Sequence, residues 1–250
     1  MVPALETRGL VKRFGGLIAT RDVSLQLPVG ARHALIGPNG AGKTTFVNQL
    51  TGVLTPSSGT ILLGGEDITR LAPEARVRRG LARTFQISQL FRSLTVAESL
   101  GIAVNERRGA GHRAWTNFAH DGDAKREIET LALEFGLETL LDARTSELAY
   151  GRQRLLEIAL AFACHPRVLL LDEPAAGVPE AERDALLATI ARLPGDVAIL
   201  LIEHDMDLVF SFARDITVLV EGGVLTSGPA EQVADDARVK AVYLGEAVDG

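Results

Sequence analysis

Apolar positions follow two different spacings along this 250-residue chain, and the spacing switches as the chain proceeds. Near the start the apolar runs are short and bounded by turn residues. Leu25-Gln26-Leu27 alternates before Pro28, and Thr60-Ile61-Leu62-Leu63 lies between Pro56-Ser57-Ser58-Gly59 and Gly64-Gly65. Short runs punctuated in this way predict β-strands joined by turns. Ala34-Leu35-Ile36 predicts a further strand, followed after a Gly-rich loop by a helix over residues 44–50. From about Ser88 to Phe162 the spacing is mostly helical, broken at Gly109-Ala110-Gly111 and Asp121-Gly122-Asp123. This predicts a helical subdomain with a mobile polar segment near residues 112–123. The last third alternates: strand 168–171, helix 181–193, strand 197–202, helix 206–213, strand 216–220. Continuous apolar strands between helices are the pattern of a buried, mainly parallel sheet. No internal repeat, low-complexity tract or long linker interrupts it.

Composition narrows the class. A hydrophobic content of 46% and a mean hydropathy of +0.16 suit a well-buried core, and the length suits one domain carrying an attached subdomain. No apolar run approaches the roughly 20 residues needed to span a bilayer; the longest, Val197-Ala198-Ile199-Leu200-Leu201-Ile202, has the length of a strand. Met1-Val2-Pro3-Ala4-Leu5-Glu6 has neither a cationic start nor a long apolar segment, so no secretory signal is expected. Cys164 is alone, which excludes an internal disulfide and fits a reducing compartment. With no second ligand cluster, Cys164-His165 reads as a small residue at the end of a buried helix. A net charge of −6 leaves extensive phosphate-backbone binding to a strongly segregated basic face. The densest basic group, Arg76, Arg78, Arg79 and Arg83, reads as solvated or partner-facing surface.

Two motifs carry chemistry. Gly37-Pro38-Asn39-Gly40-Ala41-Gly42-Lys43-Thr44 fits G-x-x-x-x-G-K-[ST] between a predicted strand and a predicted helix. In that context glycines let backbone N–H groups turn around phosphate oxygens, and the helix start adds a positive dipole end. Lys43 reaches the β- and γ-phosphates, and the Thr44 hydroxyl ligates Mg²⁺. A nucleoside triphosphate is the expected ligand. The second motif is the strand Val168-Leu169-Leu170-Leu171 ending in Asp172-Glu173. Ligands of a doubly wound sheet bind at the carboxyl ends of its strands, which brings Asp172 to the metal beside Thr44 and leaves Glu173 to orient and polarise a water. No Asn-Lys-x-Asp guanine-reading sequence occurs, which disfavours a GTPase.

Between these motifs stands Glu147-Leu148-Ala149-Tyr150-Gly151-Arg152-Gln153-Arg154, followed by an apolar-rich helix. Here the chain resembles ATP-binding-cassette ATPases over essentially its whole length, this segment standing where their signature motif stands. The resemblance implies an α/β fold: a P-loop ATPase core with a mainly parallel sheet, an N-terminal antiparallel β subdomain and an inserted helical subdomain. It implies one cassette domain over 1–250, with core and β subdomain in about 1–87 and 164–250 and the helical signature part in 88–163. It places Phe14 at the adenine-stacking position, Gly37 to Thr45 around the phosphates, and Gln86 in the glutamine loop beside Mg²⁺. His204 becomes the switch histidine, assisting Glu173.

Arg13-Phe14-Gly15-Gly16-Leu17, Arg83-Thr84-Phe85-Gln86, Leu148-Ala149-Tyr150-Gly151, Asp172-Glu173-Pro174-Ala175-Ala176-Gly177, Ile202-Glu203-His204-Asp205-Met206 and Tyr243-Leu244-Gly245-Glu246 are similar, taken together, to the ATP-binding subunits of branched-chain amino-acid importers. Cassettes for urea, short amides, aromatic acids and lipopolysaccharide export share several of these variants. Soluble cassettes acting on nucleic acid form a further class, disfavoured by the acidic balance and the lack of a coiled-coil insertion. The resemblance implies ATP and Mg²⁺ as ligands, head-to-tail pairing with an identical or related ATPase, membrane permease subunits, an extracytoplasmic solute-binding protein, and a peripheral place on the cytoplasmic face of the inner or plasma membrane. The permease contact is expected around Gln86 to Arg92, with Leu90 and Phe91 as its apolar residues. Departures from the general pattern limit the transfer. Ala149 and Tyr150 replace Ser and Gly of the signature, leaving the Gly151 backbone amide as the phosphate donor. Arg152 replaces the usual Gln, and Pro179 stands where many cassettes place an Asp, so that role is not assigned here.

Overall fold

The computed structural model describes residues 2–84, 90–109 and 122–244, which gather into two compact units. The first comprises residues up to Leu81, Arg167–Glu173 and the chain from Pro194; the second comprises Ala82–Pro166 and Pro174–Leu193.

In the first unit, β1 (Leu5–Phe14), β2 (Leu17–Leu27), β4 (Ser58–Leu63) and β5 (Glu66–Asp67) form an antiparallel sheet of order β2-β1-β4-β5. The second sheet holds β3 (Arg32–Ile36), β7 (Val168–Asp172), β8 (Ala198–Ile202), β9 (Asp215–Val220) and β10 (Gly223–Pro229) in the order β10-β9-β3-β8-β7, and Leu81 begins a short strand, β6, at its far edge. Pairing is parallel throughout β9-β3-β8-β7 and antiparallel between β9 and β10. Every residue of β7 and β8 is buried, which is why both read in the sequence as unbroken apolar runs.

Alternate side chains of β3 serve opposite layers. Leu35 packs with α1 (Lys43–Leu50) and the antiparallel sheet through Phe46, Leu50 and Leu10, whereas Ala34 and Ile36 pack with Val209, Val233 and Val239. Those three residues belong to α7 (Met206–Phe212), α8 (Ala230–Asp235) and α9 (Ala237–Leu244). Burying each Leu, Ile or Phe of this kind contributes about 1.5–3 kcal/mol, so the alternating side chains of one strand tie three layers together.

The second unit is helical apart from short β structure: α3 (Val96–Arg107), α4 (Gly122–Glu134), α5 (Tyr150–Phe162) and α6 (Glu180–Ala191). A capping box starts α3, in which the Thr95 hydroxyl accepts from Glu98 N and the Glu98 carboxylate accepts from Thr95 N. The segment expected to be mobile lies outside the described residues except for Gly122 and Asp123, which open α4.

The clustered arginines do not share one solvated surface. Arg78 and Arg79 are exposed, but Arg76 in α2 (Pro73–Arg78) is only 1% exposed. Its guanidinium donates to the carbonyls of Leu71, Thr69, Gln49 and Leu50 at 2.6–2.9 Å. Gln49 and Leu50 close α1, whose final carbonyls have no helical partner and carry the negative end of the helix dipole, so a cation is drawn inward. Burial pushes the Arg76 pKa down, and Asp67 pushes back. Cys164 lies half-buried just past α5, where burial pushes its thiol pKa up. His165 beside it faces Glu127 at 3.1 Å, and the described residues hold no cluster of three metal-ligating side chains.

Candidate functional site

The loop after β3 runs from Gly37 to Gly42 and delivers the chain into α1. Gly42 caps that helix with φ of 95°, and a Cβ there would lie 2.4 Å from the Ala19 carbonyl, so only glycine fits. No side chain caps the helix and no acid stands in its first turn. Its first N–H groups and positive dipole end are therefore presented to an anion. The cleft in front has a volume of about 610 Å³ and is lined by Asn39, Gly40, Lys43, Thr44, Thr45 and Glu173 among others.

Lys43 folds over the loop, its Nζ donating to Gly37 O at 2.5 Å and Pro38 O at 3.1 Å. Burial holds its pKa below the ordinary lysine value, opposed by the charges of Glu173 and Asp172. A partly desolvated ammonium gains most from a multiply charged anion, which returns the stabilisation that water has lost.

Asp172 ends β7, 7% exposed, and Glu173 follows in the left-handed region at φ 46°. Its N–H still bonds Ile202 O at 2.9 Å, so the sheet ladder continues while the side chain lines the cleft. A non-glycine residue with positive φ costs of order 1–3 kcal/mol and persists where the surrounding structure enforces it. His204, which follows β8, sets its Nδ1 3.7 Å from Glu173 Oε1. Phe14 closes β1 opposite Leu17, a residue of the cleft wall, with its ring half-exposed and Lys12 Nζ 5.0 Å from the centroid. The first unit thus brings together Phe14, Gly37 to Thr45, Asp172, Glu173 and His204. Gln86 lies outside the described residues.

Gly151 belongs to the second unit, one residue into α5. The preceding Ala149 offers no side-chain cap and the first turn has no acid; instead Gly151 N donates to Glu182 Oε2 of α6 at 2.9 Å. A Cβ on Gly151 would lie 2.2 Å from that oxygen. The helix start is thus held by a carboxylate 31 positions away in sequence, and α6 supplies the anion that α5 lacks.

Residues 20–176 match the ABC transporter family profile. The chain is 42% identical to the high-affinity branched-chain amino acid transport ATP-binding protein BraF of Pseudomonas aeruginosa, over 98% of this chain and 99% of that protein. It is 41% identical to LivG of Escherichia coli K12, similarly described, with the same coverage. Among solved structures it superposes on MJ1267, an ATP-binding cassette of an ABC transporter, in an ADP conformation with a TM-score of 0.84 at 28% identity, covering 98% of this chain and 100% of that one.

The chain belongs to the ABC transporter family.

This cassette is a nucleotide-binding ATPase whose hydrolysis of ATP is coupled to transport, and it works with membrane permease components. Among the described residues no helix is long and apolar enough to cross a membrane. The donors near the cleft suit a hard cation: the Thr44 hydroxyl and the Asp172 carboxylate supply oxygen, as Mg²⁺ requires.

Two parts of the cassette's architecture around these residues escaped the sequence reading. The turn between β9 and β10 packs on the loop, Gly222 N donating to Ala41 O at 3.0 Å and Gly222 O accepting from Arg21 N at 2.7 Å. Glu221-Gly222-Gly223 between two apolar runs is a hairpin signal that could have revealed the turn, though not its contact. Glu182 left no local signal, because its partner is remote in sequence.

Proposed function

We propose that this chain is the ATP-hydrolysing subunit of an importer for branched-chain or closely related hydrophobic amino acids. The observation that carries the substrate class is its 41–42% identity, over nearly full length, to BraF and LivG. In this reading residues 1–250 form one cassette domain, held peripherally on the cytoplasmic face of the membrane by permease subunits and served by an extracytoplasmic solute-binding protein. The residues around Gln86 to Arg92 receive the permease, Phe91 at 67% exposure offering apolar surface.

The site roles proposed here join the geometry of the cleft to the family pattern, and that of Gln86 rests on the pattern alone. Phe14 stacks on adenine, and the residues from Gly37 to Thr45 hold the phosphates. Thr44, Asp172 and Gln86 hold Mg²⁺, which when bound neutralises charge on the β- and γ-phosphates. Glu173 accepts the proton of the attacking water, with His204 beside it. Two chains, identical or related, pair head to tail so that the Gly151 amide of one meets the γ-phosphate held by the other. Glu182 occupies that amide in the unpaired chain, and the triphosphate takes its place on closure. One helix N-terminus contributes at most about 2 kcal/mol to an anion. A shift from mostly open to mostly closed needs about 5.5 kcal/mol, so closure requires both nucleotides and several contacts at each.

Lys43→Ala is expected to weaken Mg-ATP binding at least tenfold with little loss of thermal stability, checked by titration of a fluorescent ATP analogue. Undiminished affinity would remove Lys43 from the phosphate site. Gly151→Ala tests pairing separately. The added methyl meets Glu182 Oε2 at 2.2 Å and its Cβ at 3.2 Å, so the carboxylate swings away and the contact with α6 adjusts slightly; nucleotide binding is expected to be retained while ATPase activity falls more than tenfold. Normal turnover would exclude the amide as a phosphate donor. The substrate class is tested by reconstituting the chain with its permease and binding protein and measuring which solute stimulates ATPase activity. Stimulation by leucine, isoleucine or valine is expected; stimulation only by urea, amides or aromatic acids, or co-isolation with a lipid-exporting permease, would overturn it.

A further inference from the structure

Glu203 sits between the last residue of β8 and His204, with its side chain 2% exposed. A carboxylate at that depth is costly to keep unless its oxygens are engaged. One oxygen does two things at once. Glu203 Oε2 accepts the His204 backbone N–H at 3.2 Å and lies 3.7 Å from His204 Nδ1. Glu173 Oε1 lies 3.7 Å from the same ring nitrogen. The imidazole, 65% exposed, is therefore bracketed by a buried carboxylate and by a 25% exposed carboxylate that lines the nucleotide cleft. Asp205 on the other side of His204 is committed elsewhere, accepting from Leu208 N at 3.3 Å to cap α7.

We propose that Glu203 is a positioning residue for His204: its buried carboxylate holds the main chain of the histidine through a hydrogen bond and sets a second negative charge 3.7 Å from Nδ1, favouring the tautomer with the proton on that nitrogen and keeping the imidazole from settling on Glu173 alone. The accessible acid then stays available to water while the buried one maintains the ring's orientation. A histidine's tautomer is set by the acceptor its other nitrogen faces, and a carboxylate is the strongest such acceptor. The inference rests on the roles given above to Glu173 and His204.

The test is a double-mutant cycle on the full chain, read by single-turnover ATP hydrolysis at saturating Mg-ATP. Glu203→Gln is expected to slow hydrolysis about tenfold with the ATP concentration for half-saturation changed less than twofold. In a His204→Ala background the same substitution is expected to have less than a twofold effect. A slowing of equal size with and without the histidine would overturn the proposal, because a general structural defect does not depend on the ring. No slowing in the wild-type background would also overturn it. A wild-type rate for His204→Ala alone would overturn the reading on which the proposal rests, a different failure from a silent Glu203. Nitrogen NMR shifts of the His204 ring give a second readout: protonated Nδ1 in the wild type, and a tautomer mixture in Glu203→Gln. Unchanged shifts would exclude the positioning role. If Glu203→Gln does not fold, Glu203→Asp, which withdraws the carboxylate by one methylene, supplies both readings.

Discussion

Glu173→Gln is expected to slow ATP hydrolysis by about 10²–10⁴-fold, the usual contribution of a positioned general base, while leaving ATP binding intact. The amide keeps the shape of the side chain and its left-handed backbone at φ 46° but has no basic oxygen for the proton of the attacking water. Lys43 loses one of the two charges that oppose its desolvation, which is compatible with a bound triphosphate because the phosphates replace that charge. With hydrolysis blocked and binding preserved, the closed pair accumulates. Light scattering coupled to size exclusion in Mg-ATP is expected to show a dimer for the variant and a monomer for the same variant in ADP. Only a ligand of different affinity for the two states can shift their balance, and the γ-phosphate is the difference between the two nucleotides. Turnover at the wild-type rate would remove Glu173 from the role of base. A slow variant that stays monomeric would leave the base in place and remove the pairing scheme.

Arg76→Met is expected to give the largest loss of stability. Methionine fills much of the same space but removes the charged donor from four carbonyls, those of Leu71, Thr69, Gln49 and Leu50, of which Gln49 O keeps its bond from Gly52 N at 3.2 Å. Each hydrogen bond to a charged group contributes about 1.5–3 kcal/mol and such terms are not additive, so a total of about 3–5 kcal/mol is expected. In a chain of this size that lowers the melting temperature by roughly 6–20 °C. Because two of those carbonyls end α1, the N-terminus of the same helix, which faces the cleft, is expected to lose order with them, weakening ATP binding in proportion to the stability lost. Arg78→Met, two residues further along on an exposed site, serves as the control and is expected to change stability by less than about 0.5 kcal/mol. Equal melting temperatures for the two variants would show that the buried network contributes nothing net.

These two residues mark different relations between sequence and structure. Glu173 stood out in the sequence because it ends an apolar run, next to an acid and downstream of a phosphate-loop pattern; each signal lies within a few residues. The strands at 168–171 and 197–202 were legible for the same reason, since a strand buried on both faces takes apolar residues, and 216–220 was legible despite buried Thr217 because its other positions are apolar. β1 was not read, because Gly9 at φ 56° and the shift of register between Thr7 and Leu10 break its alternation. Arg76 was misread, because an arginine among arginines on a short polar segment carries no local mark of burial. Two of its four partners are the carbonyls of a helix that ends 26 residues earlier.

The sequence by itself determined the alternation of strand and helix over residues 168–220, the phosphate loop with the strand and helix that flank it, the acids that end β7 and the family resemblance, all of which are written in the spacing of neighbouring residues. Tertiary structure alone decided that Arg76 closes α1, that Glu182 holds the start of α5, that the Glu221-Gly222 turn braces the loop, and that Glu203 shares His204 with Glu173. The physical reason is the same in each case: hydrogen bonding and charge pairing depend on distances of a few ångströms between groups that folding, not chain order, brings together.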